Sequence, residues 1–213
     1  MSYRVRIKFC GLTRAEDVAT AAALGVDAIG FVLTQRSKRF VQLEQAARLR
    51  ATLPPFVDAV ALLMDDTPQW VEKVSEALHP DLLQFHGEEA AAQCERFGRR
   101  YLKAVPMASV ADVAAYAARH PNAAGFLLDS HAQGAGGGSG ERFDWRRVPK
   151  TLGRPLILAG GLDADNVVDA ILTARPYAVD VSSGIETSPG IKDPERMRRF
   201  VAAVRAAERS LPP

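Results

Sequence analysis

Val5-Arg6-Ile7-Lys8-Phe9-Cys10-Gly11, running on into Leu12-Thr13-Arg14-Ala15-Glu16, reads as a strand, a glycine turn and the start of a helix. It places a thiol at the C-terminal end of the strand, just before the turn. Parallel α/β proteins keep their chemistry at that position. Cys10 also fits a plainer role, as a small buried hydrophobe. The other strand ends decide between the two.

Outward from this stretch the same unit recurs. A helix over 14–25 has Thr13 as its cap, Glu16 three residues on, and Gly25 as its stop. Apolar, β-branched runs at 27–33, 56–64, 82–86, 101–105, 125–130, 155–159 and 177–184 read as further strands. Helical spacing fills 43–53, 68–78 behind Thr67-Pro68, 88–98, 110–120 behind Ser109, 164–174 and 194–208, with a short helical piece near 144–148. Two stretches read as loops: 131–140, with five glycines in ten residues, and Ile185 to Asp193. The strand runs are apolar throughout, the mark of strands covered on both faces. Eight such units in 213 residues predict a single-domain (β/α)₈ barrel over 1–213 with short loops. An open doubly wound sheet is the alternative, but no G-x-G-x-x-G follows the first strand.

Composition narrows the function. Hydrophobic content of 47% and charged content of 24% suit a soluble globular chain. A net charge of +2, with basic and acidic residues interspersed, argues against nucleic acid and an anionic membrane as partners. No apolar run approaches the ~20 residues of a membrane span. Cys10 and Cys94, far apart, suit a reducing cytoplasm rather than a disulfide framework. The start, Met1-Ser2-Tyr3-Arg4, has no apolar signal region. Oligomeric state stays open between monomer and homodimer.

In a barrel, the strand ends gather at one mouth. Here they supply Cys10, Arg36, Lys38, Arg39, Asp65, Asp66, His86, Asp129, Gly160, Gly161, Ser182, Ser183 and Gly184. Gly160-Gly161 after the seventh strand and Ser182-Ser183-Gly184 after the eighth form the expected phosphate cradle. Close backbone approach, a helix N-terminus and two hydroxyls converge there. Cys10 and Asp129 form the expected proton-transfer pair. Asp129 could instead be an ion-pair partner, and His86 either a substrate contact or a strand-end residue held by the backbone. His79, His86, His120 and His131 are scattered along the chain, so no metal site is expected. Lys8 points to the same side of its strand as Cys10. If that side is the barrel interior, a buried lysine needs a partner, and Asp180 on the neighbouring eighth strand is the expected one, with the ammonium favouring the Cys10 thiolate.

Lys8-Phe9-Cys10-Gly11-Leu12-Thr13 resembles the opening motif of the phosphoribosylanthranilate isomerase family of tryptophan biosynthesis. So do Asp27 to Val32, Ser37 to Val41, Leu83 to Glu89, Gly137 to Gly140 with Phe143-Asp144-Trp145, Leu158 to Leu162, Asp180 to Glu186 and Gly190 to Asp193, all in the family's order. Lys38, Phe85 and Ser139 depart from its usual proline, leucine and threonine, and none of the three removes a reactive group. The resemblance implies a cofactor-free Amadori rearrangement of a small phosphoribosyl substrate. It makes Asp129 the general acid, Cys10 the general base, Arg39 the holder of the anthranilate carboxylate, and Gly160, Gly161, Ser182, Ser183 and Gly184 the phosphate site. The glycine-rich 131–140 segment reads as a mobile cover or an inert linker. Two rival readings remain. One is a sugar-phosphate isomerase of histidine biosynthesis, or one serving both pathways. The other is a catalytically silent phosphosugar-binding barrel.

Overall fold

The computed structural model describes residues 4–131 and 142–211. Eight parallel strands close into a barrel in chain order: β1 (Arg6–Cys10), β2 (Ala28–Val32), β3 (Asp58–Leu63), β4 (Leu82–Phe85), β5 (Tyr101–Pro106), β6 (Gly125–Asp129), β7 (Leu156–Leu158) and β8 (Ala178–Val181). Closure pairs β1 with β8 in a register that sets Lys8 opposite Asp180. Between them run α1 (Ala15–Ala23), α2 (Leu43–Arg50), α3 (Pro68–Leu78), α4 (Ala91–Glu95), α5 (Val113–Ala118) and α6 (Val167–Ala174), with α7 (Pro194–Ser210) last. Only a 3₁₀ turn, Trp145–Arg147, stands between β6 and β7 among the described residues. No helix among them is long and apolar enough to cross a membrane.

Alternation along each strand sorts the side chains. Ile7, Phe9, Ile29, Phe31, Leu83, Phe85, Phe126, Leu128 and Val179 point outward into the large core beneath the helices. Leu102, Ala104, Leu127, Ile157, Ala159 and Ala178 fill a smaller cluster inside the barrel. Burying one such large apolar side chain stabilises by about 1.5–3 kcal/mol. Most of them lie in the outer layer, which leaves inner positions available for polar groups.

Helix ends follow local capping chemistry where nothing stronger competes. Thr67 accepts from the Trp70 N–H, with Pro68 at the first helical position. Asp193 accepts from the N–H groups of Glu195 and Arg196. Elsewhere the expected caps give way. Thr13 does not cap α1; its hydroxyl donates to the Gly190 carbonyl at 2.6 Å, tying the first turn to the far end of the chain. Asp112, not Ser109, caps α5, which starts three residues later than expected. α4 shrinks to five residues because Glu89 leaves the helix. Its carboxylate instead accepts from the N–H groups of Asp65 and Gly87 and from Lys103. The segment expected as a plain loop after β8 contains a 3₁₀ turn, Ser183–Ile185, and a hairpin of β9 (Glu186–Ser188) and β10 (Ile191–Lys192). The glycine-rich segment read as a cover falls almost wholly outside the described residues; His131 is its one described member.

Candidate active site

Cys10 ends β1 with its side chain buried on the inward side. Two residues below it, Lys8 Nζ lies 2.9 Å from Asp180 Oδ1, both buried, as the alternation required. Burial alone would lower the Lys8 pKa, but Asp180 and Cys10 outweigh it and raise the group to about 12. Lys8 does favour the Cys10 thiolate, as expected, but it does not decide the thiol's state. Burial is the largest influence on Cys10 and raises its pKa; Lys8 and Lys192 pull it down without overcoming that. Gly30 on β2 makes room for this arrangement. A Cβ there would stand 2.9 Å from the Cys10 sulfur and 3.0 Å from Lys8 Nζ.

Asp129 ends β6, also buried and inward. Its Oδ2 lies 3.3 Å from His86 Nε2 and 3.6 Å from His131 Nδ1. The two imidazoles stack, with centroids 4.4 Å apart. The histidines that read as scattered therefore meet around one carboxylate. Burial raises the Asp129 pKa, yet His131 and His86 more than offset it and hold the carboxyl far below the usual carboxylate range. The other two histidines lie apart from this group: His120 packs against Tyr101 and Tyr116, where burial lowers it to about 4.

The loops after β7 and β8 lie on the arc between Asp129 and Cys10. Gly160 and Gly161 adopt left-handed backbone, with φ of +80° and +61°. Gly160 packs against Ser130, beside Asp129, so closely that a Cβ would collide with it. Gly184 leaves no room for a Cβ beneath the Leu162 carbonyl, which seats one loop on the other. The Asn166 amide donates to the Gly161 carbonyl, and its oxygen accepts from the Asp163 N–H. Gly160, Gly161, Ser182, Ser183 and Gly184 all stay partly exposed, as an anion site requires. The Ser182 hydroxyl is committed elsewhere, donating to the Cys10 carbonyl at 3.0 Å. That leaves the backbone N–H groups and the Ser183 hydroxyl as the donors these loops could offer an anion.

Arg39 is not a free guanidinium. Its Nε and Nη2 edge donates to both oxygens of Glu186 at 2.8–3.2 Å, nearly buried. Among the described residues Nη1 has no partner, so the outer end of the fork is the part that can meet a carboxylate. Lys192, fully buried, donates to Glu186 Oε1 at 2.7 Å, to the Cys10 carbonyl at 2.6 Å and to the Ser182 carbonyl at 3.1 Å. Burial lowers the Lys192 pKa, and Glu186 offsets part of that. Arg36 serves the neighbouring loop instead, donating to the Met64 carbonyl and to Asp65. Asp66 accepts from the Met64 N–H at the end of β3. Cys94 is a core residue whose thiol burial raises to about 12.

Glu186, Lys192, Gly30 and His131 were missed by sequence reasoning. Glu186 and Lys192 sit six residues apart in a stretch that reads as loop; only a hairpin folds them inward. Gly30 carried a usable signal, a glycine inside a strand pattern, which marks close approach of another group.

The chain matches the family model described as N-(5'phosphoribosyl)anthranilate (PRA) isomerase over residues 7–203. It is 51% identical over 212 residues to the N-(5'-phosphoribosyl)anthranilate isomerase of Xanthomonas euvesicatoria pv. vesicatoria, covering 97% of this chain and 96% of that one. Its counterpart from Stenotrophomonas maltophilia is 52% identical over 208 residues, covering 97% and 95%. The crystal structure of the Thermus thermophilus phosphoribosyl anthranilate isomerase superimposes with a TM-score of 0.85 at 36% identity, covering 95% of this chain and 99% of that one. A further phosphoribosyl anthranilate isomerase crystal structure holds reduced 1-(o-carboxyphenylamino)-1-deoxyribulose 5-phosphate, with a TM-score of 0.81 at 33% identity and the same coverage. On its sequence and its barrel alike, this chain belongs to the N-(5'-phosphoribosyl)anthranilate isomerase family.

Proposed function

We propose that this protein converts N-(5-phosphoribosyl)anthranilate into 1-(2-carboxyphenylamino)-1-deoxyribulose 5-phosphate by an Amadori rearrangement, as a step of tryptophan biosynthesis. The observation that carries this reading is the placement of a partly exposed glycine–serine cradle between Cys10 and Asp129 on adjoining arcs of one barrel mouth. A phosphate held there sets the ribose between the thiol and the carboxyl.

Asp129 protonates the ribose ring oxygen, the C1–O bond breaks, and the anilino nitrogen lone pair forms the Schiff base. Cys10 as thiolate removes the C2 proton, and the electron pair moves to give the enolamine. In the tautomerisation to the ketone, C1 gains the proton held by Cys10, and the enol hydroxyl returns one to Asp129. Both groups end as they began, so no cofactor or external proton is consumed. Asp129 sits far below its usual pKa in the free protein. His86, beside Asp129 at the end of β4, meets the substrate. The end of Arg39 left open by Glu186 meets the anthranilate carboxylate. Gly160, Gly161, Ser182, Ser183 and Gly184 hold the phosphate, chiefly through backbone N–H groups.

One barrel domain carries the whole reaction, as a monomer or homodimer. Its two buried free thiols suit the cytoplasm. Keeping both reactive groups argues against a silent phosphosugar-binding barrel, and a cysteine base argues against the paired aspartates of the histidine-pathway isomerases. The test is an assay with phosphoribosylanthranilate made in situ and followed by loss of its fluorescence. Wild type should turn it over, and Cys10→Ala should lose about 10²–10⁴-fold in rate. An inactive wild type overturns the function; undiminished Cys10→Ala activity overturns the base.

A further inference from the structure

We propose that His86, Asp129 and His131 form a binding site for one divalent transition-metal ion of the zinc class, and that the bound ion switches the isomerase off. The three residues offer two imidazole nitrogens and a carboxylate oxygen, all within 4.8 Å of one another and all buried. Two histidines and one carboxylate are a donor set that suits zinc and its first-row neighbours.

The spacing favours an ion over a simple hydrogen-bonded cluster. Zinc holds nitrogen at about 2.0–2.1 Å and oxygen at about 2.0–2.2 Å in a tetrahedron, which sets ligand atoms about 3.3–3.4 Å apart. The observed separations from Asp129 Oδ2 are 3.3 Å to His86 Nε2 and 3.6 Å to His131 Nδ1. A charge-assisted bond between such groups would be nearer 2.7–2.9 Å. Both nitrogens are buried without hydrogen-bond geometry to any partner. Buried polar atoms seldom stay unsatisfied, so these two ask for a ligand.

The surrounding residues fit as well. Gln84 lies behind His86, its amide nitrogen 3.3 Å from His86 Nδ1, while its oxygen is buried with no partner. Turning that amide over satisfies both groups. The oxygen then accepts from Nδ1–H, and the Nε2 lone pair faces Asp129, as a metal-binding histidine requires. The imidazole planes stand 27° apart, so one ring must turn for both lone pairs to meet one ion. His131 lies beyond the end of β6, outside any strand or helix, and can make that turn. Three protein ligands leave a tetrahedral ion one open position, for water. An ion there engages the carboxylate that the proposed acid step uses; the inhibitory half of the proposal rests on that reading of Asp129.

The experiment titrates the EDTA-treated, dialysed protein with Co²⁺, following the visible bands of tetrahedral cobalt, with Zn²⁺ added to displace it. Isomerase activity is measured in parallel at chelator-buffered free zinc. One ion should bind, and zinc should inhibit in competition with substrate and be relieved by EDTA. His131→Asn should weaken metal binding at least tenfold. Asp129→Asn, a second variant that keeps the shape of the site, should do the same. Cys10→Ser should bind the ion unchanged. If Cys10→Ser abolishes binding while His131→Asn does not, the thiol is the ligand and the proposal is wrong. Absence of any cobalt band at millimolar metal also overturns it. Binding lost in His131→Asn but without inhibition of wild type keeps the site and instead removes Asp129 as the acid.

Discussion

The Nζ of Lys192 lies 2.6 Å from the carbonyl oxygen of Cys10. The same ammonium reaches Glu186 and the Ser182 carbonyl. One buried cation thus ties the end of the thiol's strand to the loop after β8 and, through Glu186, to Arg39. Lys192→Met should leave the Cys10 and Ser182 carbonyls without this donor in the interior, and Glu186 with Arg39 and the Gly190 N–H alone, at a cost of about 1–3 kcal/mol in stability. It also removes one of the two cations that pull the Cys10 pKa down. Alkylation of Cys10 by iodoacetamide should therefore move to higher pH, with Lys192→Arg moving it less. An alkylation profile identical to wild type in a folded Lys192→Met protein would show that the cation does not act on the thiol.

Gly30→Ala tests the space beside the sulfur. The added methyl would meet the Cys10 sulfur at 2.9 Å and Lys8 Nζ at 3.0 Å, and both must shift. Because β2 is pinned on both sides, the thiol is the part that moves. A displacement approaching 1 Å at a reacting group costs on the order of 10²-fold in rate. The loss should fall on kcat, with KM near wild type, since the loops proposed to hold the phosphate follow β7 and β8. A change in KM alone would mean that Gly30 serves binding rather than the base.

The pH dependence follows from the raised pKa values of both Cys10 and Lys8. A raised thiol pKa means that only a small share is thiolate at neutral pH, so kcat/KM should climb with pH past neutrality. The fold holds that thiol's proton more tightly than the unfolded chain does. Its contribution to stability therefore fades as pH rises above the unfolded value of about 8.5. Lys8 keeps its contribution below the unfolded value of about 10.4 and loses it as pH rises through about 12. Urea unfolding midpoints should fall from about pH 9 upward. A flat kcat/KM between pH 7 and 9 would rule out Cys10 thiolate as the limiting base.

The barrel was legible because each strand ends in a turn signal and each apolar run sits at near-equal spacing. Lys8 and Asp180 were legible because parity and closure, two simple geometric rules, place them opposite each other. What stayed hidden depends on tertiary competition. Thr13 is a good cap by local rules, yet its hydroxyl goes to Gly190, 177 residues away. Glu89 reads as a helical residue, but Lys103 and two N–H groups draw it out. Charge alone suggested that Lys8 would favour the Cys10 thiolate, and it does pull that way. Burial, which a sequence does not quantify, outweighs it. His131 lay in a stretch read only as glycine loop, so its meeting with His86 could not be read from spacing.

Glu186 should set how well the site reads a carboxylate. It holds the Nε and Nη2 edge of Arg39 and shares its charge with Lys192, leaving the cluster one net positive charge for an incoming anion. Glu186→Gln keeps the shape but accepts fewer bonds and points an amide N–H at a cation, so Arg39 should lose its fixed aim. For phosphoribosylanthranilate, KM should rise about tenfold, or about 1.4 kcal/mol of lost recognition. The analogue with aniline in place of anthranilate has no carboxylate to lose. Its kcat/KM should change little in the variant, so the ratio between the two substrates narrows. Equal losses for both would place the role of Glu186 at Cys10 or in the fold, not in carboxylate recognition.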